Sequence, residues 1–201
     1  MKKDILRLGI SLALYSGFAC VALAFVYTIT APTIASHDKE QLELSLRDLF
    51  PEADSFPEIE AGIGPSGEGV LFEKAYKAVR GDAVLGLAIK ATGKSYGGAA
   101  SMLVGIATDR RISGARILTL TDTPGLGANA QSPTYFVEKR SKTTFIGQFA
   151  GKALSDGFTV KDDVIAISAS TITSKALTLI VKMAGDAGSA WLEANAAGGV
   201  Q

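Results

Sequence analysis

Histidine and cysteine each occur once in this 201-residue chain, as His37 and Cys20. A single cysteine excludes an intrachain disulfide. A single histidine argues against a zinc site or histidine-based catalysis within the chain. Net charge is also lacking, because twenty basic residues balance twenty acidic ones. With no long basic tract, nucleic acid is excluded as a partner class.

Charge is missing altogether from positions 8–36. The apolar part, 8–30, holds 23 residues. As a helix it reaches roughly 34 Å, against about 30 Å of bilayer hydrocarbon. This reads as one transmembrane helix. Lys2, Lys3 and Arg7 precede it, and no such excess follows. The positive-inside rule then keeps residues 1–7 in the cytoplasm. The rest lies on the periplasmic or extracellular face of the cytoplasmic membrane. Ala22-Leu23-Ala24 has the small-x-small form of a signal cleavage site, but Phe25, Val26 and Ile29 carry the apolar run beyond a signal core. A span without a carboxylate offers no ion path of its own. Setting aside Lys2, Lys3, Arg7 and Asp4 leaves seventeen basic and nineteen acidic residues, a net of −2. That balance suits docking to other proteins more than capture of a polyanion.

Beyond Pro32, a second helix is expected over 33–50, with Leu42, Leu46, Leu49 and Phe50 at helical spacing. Pro51 ends it, and 57–69, rich in Gly and Pro, reads as a linker. Strands are expected at 70–76, 84–91, 102–108 and 112–120, with a hairpin at Asp109-Arg110-Arg111. A short helix is expected at 134–139, and a loop or interrupted helix at 145–154. The last helix runs to about residue 195, unless Gly185 or Gly188 breaks it, and 196–201 reads as a frayed tail. The fold class is α+β: a single N-terminal membrane helix, then one outer domain at 70–195 with a curled antiparallel sheet and helices.

The stretch that organises the chain is Ser168-Ala169-Ser170-Thr171-Ile172-Thr173-Ser174. Val164-Ile165-Ala166-Ile167 before it reads as a strand or extended approach. After it, Leu177, Ile180, Val181 and Ala184 recur at helical spacing and face a core. The hydroxyls therefore sit at a helix N-terminus. Two readings stay open there. Ser and Thr are good N-caps, and orphan amides with the helix dipole favour a phosphate.

Three motifs carry a resemblance. The 165–174 stretch resembles the flavinylation motif of the FMN-binding domain family, roughly Asp-x-x-Ser/Thr-Gly-Ala-Thr. Here Ile165 stands for Asp, Ala169 for Gly and Ser170 for Ala. Asp122-Thr123-Pro124-Gly125-Leu126-Gly127 resembles the family's Glu-Thr-Pro-Gly-Leu-Gly loop. Tyr96-Gly97-Gly98 resembles its Tyr-Gly-Gly. Taken alone, the second is an ordinary Pro-Gly turn and the third a glycine turn before a strand.

The resemblance implies FMN joined covalently through its phosphate to Thr171 by a flavin transferase. Ser168, Ser170, Thr173 and Ser174 would surround the phosphate, with Thr173, Ser174 and the helix amides bonding its oxygens. Asp122, Thr123, Pro124, Gly125, Leu126 and Gly127 would lie against the ring. No residue is expected to be catalytic or to bind metal. Within the family, one span and about two hundred residues resemble the G subunits of Rnf electron transport complexes. The C subunits of sodium-pumping NADH:quinone oxidoreductases share the motif but are usually longer. The implied role is an electron relay in an ion-translocating ferredoxin:NAD oxidoreductase complex, with other membrane and redox subunits and the lipid bilayer as partners. The alternatives are a C-type subunit or a flavin-free scaffold.

Overall fold

The computed structural model describes residues 2–59, 63, 67 and 69–196, grouped into two units, Met1–Glu43 and Leu44–Gln201. Much of the linker expected at 57–69, and all but the first residue of the expected tail, lie outside the described residues.

Helix α1 spans Lys2–Leu49. In the first unit all of its described side chains but Ala31 and Leu42 are exposed, with Leu8 and Phe18 each at 76%. An 18-residue window has a mean hydropathy of 2.0, and none of it is buried. By length and composition the helix is able to cross a membrane.

The expectation of two helices separated at Pro32 is corrected, because α1 runs through Pro32 without interruption. Proline removes one backbone donor and crowds the carbonyl four residues earlier. The surrounding residues are otherwise helix-compatible and contain no glycine stop. Neighbouring hydroxyls bond back to the backbone: Thr28 to Phe25 O at 2.8 Å and Thr30 to Val26 O at 3.0 Å.

The second unit is built on a four-stranded antiparallel meander of β1 (Val70–Arg80), β2 (Ala83–Lys94), β3 (Ala99–Ala107) and β4 (Ile112–Leu120). Register shifts at Phe72/Lys74, Ala78/Val79, Ser101/Met102 and Gly105/Ile106 mark bulges, which bend and twist a sheet. The linker expected from Pro57 begins instead as an edge segment. Lys77 N–H donates to Pro57 O at 2.9 Å, and Ile59 N–H to Ala75 O at 2.8 Å.

Helix α2 (Thr171–Ala196) covers one face of the sheet. Leu177, Ile180, Val181 and Ala184 are fully buried, as their spacing requires. Gly185 and Gly188 do not break α2. A Cβ on Gly188 would lie 2.9 Å from Ile106 Cδ1, so these glycines let helix and core approach closely. Side chains alternate along a strand, so Gly105 faces away from Ile106. On that opposite face Leu46, Leu49 and Phe50 are buried. A Cβ on Gly86 would lie 2.8 Å from the Phe50 ring, and one on Gly114 2.9 Å from Leu49.

Between β4 and α2 lie a 3-10 turn (Gly127–Gln131), a small hairpin of β5 (Phe136–Glu138) and β6 (Thr143–Thr144), and a second 3-10 turn (Gly147–Phe149). The helix expected at 134–139 is corrected to a turn leading into β5. Ser132 Oγ accepts the N–H groups of Thr134 at 3.3 Å and Tyr135 at 3.2 Å. This hydroxyl turn competes with helix, and Tyr135, Phe136 and Val137 favour strand. Phe145, Phe149 and Phe158 anchor the region, with Phe145 edge-on to Phe149 at 5.6 Å.

Candidate functional site

The three motifs converge on one carboxylate. Asp122, only 5% exposed, accepts the Ser95 hydroxyl on Oδ2 at 2.7 Å and the Gly97 N–H on Oδ1 at 2.7 Å. Its Oδ2 also accepts the hydroxyl of Thr173. Burial raises the Asp122 pKa, but bonds from Thr173, Gly97 and Ser95 outweigh it and hold the carboxyl below its ordinary value. It is therefore an ionised group with its acceptors in use. It ties together the turn after β2, the loop after β4 and the first turn of α2.

Glycine makes this approach possible. A Cβ on Gly127 would collide with Asp122 Oδ2 and lie 2.5 Å from Thr173 Oγ1. One on Gly97 would lie 2.5 Å from the Thr121 carbonyl oxygen. In the loop itself, Thr123 O accepts the N–H of Leu126 at 3.1 Å, and Gly125, at φ +78°, takes the left-handed conformation. Thr123, Pro124, Gly125 and Leu126 are exposed.

The approach to α2 is extended but forms no ladder. The Gln148 side-chain amide stands in for a neighbouring strand: its Oε1 accepts Ile165 N–H at 2.8 Å, and its Nε2 donates to Ile165 O at 3.1 Å. Ser168 N–H donates to the Tyr135 hydroxyl at 3.2 Å. Asp163 serves the preceding loop instead, accepting Phe158 N–H at 2.9 Å and pairing with Lys152 at 2.9 Å. Ala169 adopts φ +59°, the left-handed region where glycine is favoured.

Ser170 is the N-cap by position. Its carbonyl accepts the N–H of Ser174 at 3.0 Å and the Ser174 hydroxyl at 2.9 Å. The Ser170 hydroxyl is itself buried and has no hydrogen-bond partner among the described residues. The Ser174 hydroxyl also accepts Ile167 N–H at 3.0 Å. The hydroxyls of Thr173 and Ser174 are thus committed to protein partners. Ser168 is exposed and Thr171 half-buried.

This arrangement fits a flat cofactor carrying a phosphate. The amides of Thr171, Ile172 and Thr173 precede the first i→i−4 bond of α2, the place where anions bind. On or next to the motifs, Tyr96, Leu126, Ile165 and Ile172 are exposed at 67%, 42%, 44% and 61%, side chains of the apolar kind that a ring system packs against. Two cavities of about 510 and 550 Å³ lie elsewhere, around Ser189 and Glu193 near the other end of α2, and no motif residue lines them.

Ser95, Gln148 and Tyr135 support the site without having been picked out from sequence. Ser95 could have been found from its place beside Tyr96-Gly97-Gly98. Nothing local marks Gln148 or Tyr135.

Residues 95–186 match the FMN-binding domain family, and residues 1–49 match the RnfG N-terminal region. The G subunit of an ion-translocating oxidoreductase complex from Cereibacter sphaeroides is 34% identical over 179 residues, covering 84% of this chain and 77% of the relative. The G subunit of the proton-translocating ferredoxin:NAD(+) oxidoreductase complex of Clostridium ljungdahlii is 32% identical, over 82% of this chain and 80% of its own. The G subunit of the Na(+)-translocating ferredoxin:NAD(+) oxidoreductase complex of Acetobacterium woodii is 30% identical, over 90% of each. With both regions matched in order and such relatives aligned over most of its length, the chain belongs to the family of Rnf complex G subunits and contains an FMN-binding domain.

Proposed function

We propose that this chain is the membrane-anchored electron relay of an ion-translocating ferredoxin:NAD oxidoreductase complex, holding FMN covalently on Thr171. The observation that carries the attachment site is the fate of the hydroxyls at 168–174. Ser170, Thr173 and Ser174 are buried, and the last two donate to protein acceptors. Thr171 is the partly accessible hydroxyl at the first residue of α2, beside its unbonded amides.

Attachment requires an activated donor, a flavin dinucleotide, and a flavin transferase. The Thr171 oxygen attacks the phosphorus of the FMN half. A new P–O bond forms, the P–O bond to the departing nucleotide monophosphate breaks, and the hydroxyl proton passes to a base of the transferase. With the FMN attached, the amides of Ile172 and Thr173 would hold the phosphate oxygens, and Tyr96, Leu126 and Ile172 would offer apolar contact to the ring. When bound, the isoalloxazine supplies the redox chemistry, taking up one or two electrons. The covalent link retains the cofactor on the outer face without demanding tight non-covalent affinity.

The N-terminus lies in the cytoplasm, because Lys2, Lys3 and Arg7 flank the span on that side. Ion movement belongs to partner subunits, because α1 has no carboxylate within its apolar stretch.

The test is flavin fluorescence in a denaturing gel after co-expression with an active transferase. Wild type and Ser168→Ala are expected to fluoresce and Thr171→Val to be dark. A dark wild type, with the transferase active on a control substrate, contradicts the proposal.

A further inference from the structure

We propose that Asp122 is the positioning residue for flavin attachment: its buried carboxylate sets the first turn of α2 so that Thr171 faces the incoming donor. The inference rests on Thr171 as the attachment site and adds to it a cause for that residue's geometry.

The argument starts from acceptor count. Oδ1 takes the Gly97 N–H and Oδ2 takes the hydroxyls of Ser95 and Thr173. Thr173 is the third residue of α2 and Thr171 the first, so fixing one fixes the rotation of the other about the helix axis. The Ser170 hydroxyl, which ordinarily performs this task as N-cap, bonds nothing among the described residues. The Asp122–Thr173 bond thus supplies from another loop the anchoring that the cap does not. The Ala169 backbone, held at φ +59°, adds a reason for an external clasp, since an alanine there resists its own conformation.

The same carboxylate ties the turn after β2, which carries Tyr96, to the helix start through Gly97. A neutral amide does not reproduce its three acceptor bonds. If Asn places NH2 at Oδ2, two hydroxyl hydrogens lose their acceptor. If it places NH2 at Oδ1, a donor faces the Gly97 N–H. Glutamate, the residue standing in the resembling loop, keeps the charge and both oxygens.

The experiment uses the full chain in detergent, made without transferase, as wild type, Asp122→Asn, Asp122→Glu, Thr173→Val and Thr173→Ser. Two quantities are read. One is amide hydrogen exchange over 95–98 and 170–175 in the flavin-free protein. The other is the rate of FMN incorporation on adding transferase and flavin adenine dinucleotide, followed by intact mass. Asp122→Asn and Thr173→Val are expected to exchange about tenfold faster in those segments alone. They are also expected to incorporate FMN roughly tenfold or more slowly, as a misplaced nucleophile does. Thr173→Ser and Asp122→Glu should restore both. Unchanged incorporation in either disrupted variant overturns the proposal, whatever the exchange shows. Slower incorporation with unchanged exchange also overturns it, because Asp122 would then act on the reaction directly. If wild type takes up no flavin on Thr171, the attachment reading fails. Exchange at 170–175 then still decides whether Asp122 orders the helix start, with wild-type exchange in Asp122→Asn refuting it. Should Asp122→Asn not fold, Thr173→Val carries the test alone.

Discussion

The hydroxyl of Thr173 donates to the carboxylate of Asp122 across 51 residues of sequence. This bond joins the Pro-Gly loop to the hydroxyl stretch, the two motifs that are furthest apart in character. Removing the carboxylate by Asp122→Ala frees the exposed Gly97 N–H and leaves two buried donors, the hydroxyls of Ser95 and Thr173, without their acceptor. Each such group costs about 1–3 kcal/mol, and partial relaxation puts the total at roughly 2–5 kcal/mol. Urea denaturation of the flavin-free chain should show this as a lower midpoint. An unchanged midpoint would mean that the clasp contributes nothing.

The ionisation of Asp122 has a pH consequence. Its folded-state pKa is depressed relative to its ordinary value. Its contribution to stability is therefore fully present above the unfolded carboxyl value of about 3.9, and is lost as pH falls through the depressed folded value. Glu73 and Asp163 are depressed as well and add to the same acid limb. Asp122→Asn should flatten part of the stability loss below about pH 4. Denaturant midpoints measured from pH 6 down to pH 2.5 would check it, and identical slopes in both proteins would contradict it.

Ala169 holds φ +59° with a side chain that disfavours it. Ala169→Gly should raise stability by about 0.5–1 kcal/mol, the relief of left-handed strain less the entropy glycine adds to the unfolded chain. The same melts or urea curves read this directly. A loss of stability would show that Ala169 makes packing contacts worth more than its strain.

Gln148 carries a structural load that its position does not advertise. Its amide bonds both backbone groups of Ile165, and it also donates to Phe145 O at 3.0 Å. Gln148→Leu should cost about 1–3 kcal/mol and speed amide exchange at Ile165. Exchange at Leu177 in the core of α2 should stay unchanged, which separates a local loosening from global unfolding.

Much of the sheet was legible because apolar runs bounded by turn residues mark β1 to β4, with β2 and β3 buried on both faces, and the core face of α2 because period 3.6 marks Leu177, Ile180, Val181 and Ala184. Pro32 misled because proline is read locally as a stop, whereas the residues on both sides sustain helix. The segment 134–139 misled because Ser132, outside the segment, takes its first N–H groups. At the site, the motif residues could be read as types in order along the chain. That Thr173 spends its hydroxyl on Asp122 could not, because that bond depends on where β4 delivers its loop.

The most direct test of the central claim is the intact mass of the full chain co-expressed with an active flavin transferase, followed by mapping of the modified peptide. The account predicts one added FMN phosphodiester on the peptide containing Thr171, absent in Thr171→Val and retained in Ser168→Ala. An unmodified wild-type mass, or an FMN carried on a different residue while Thr171→Val is still fully labelled, would contradict it.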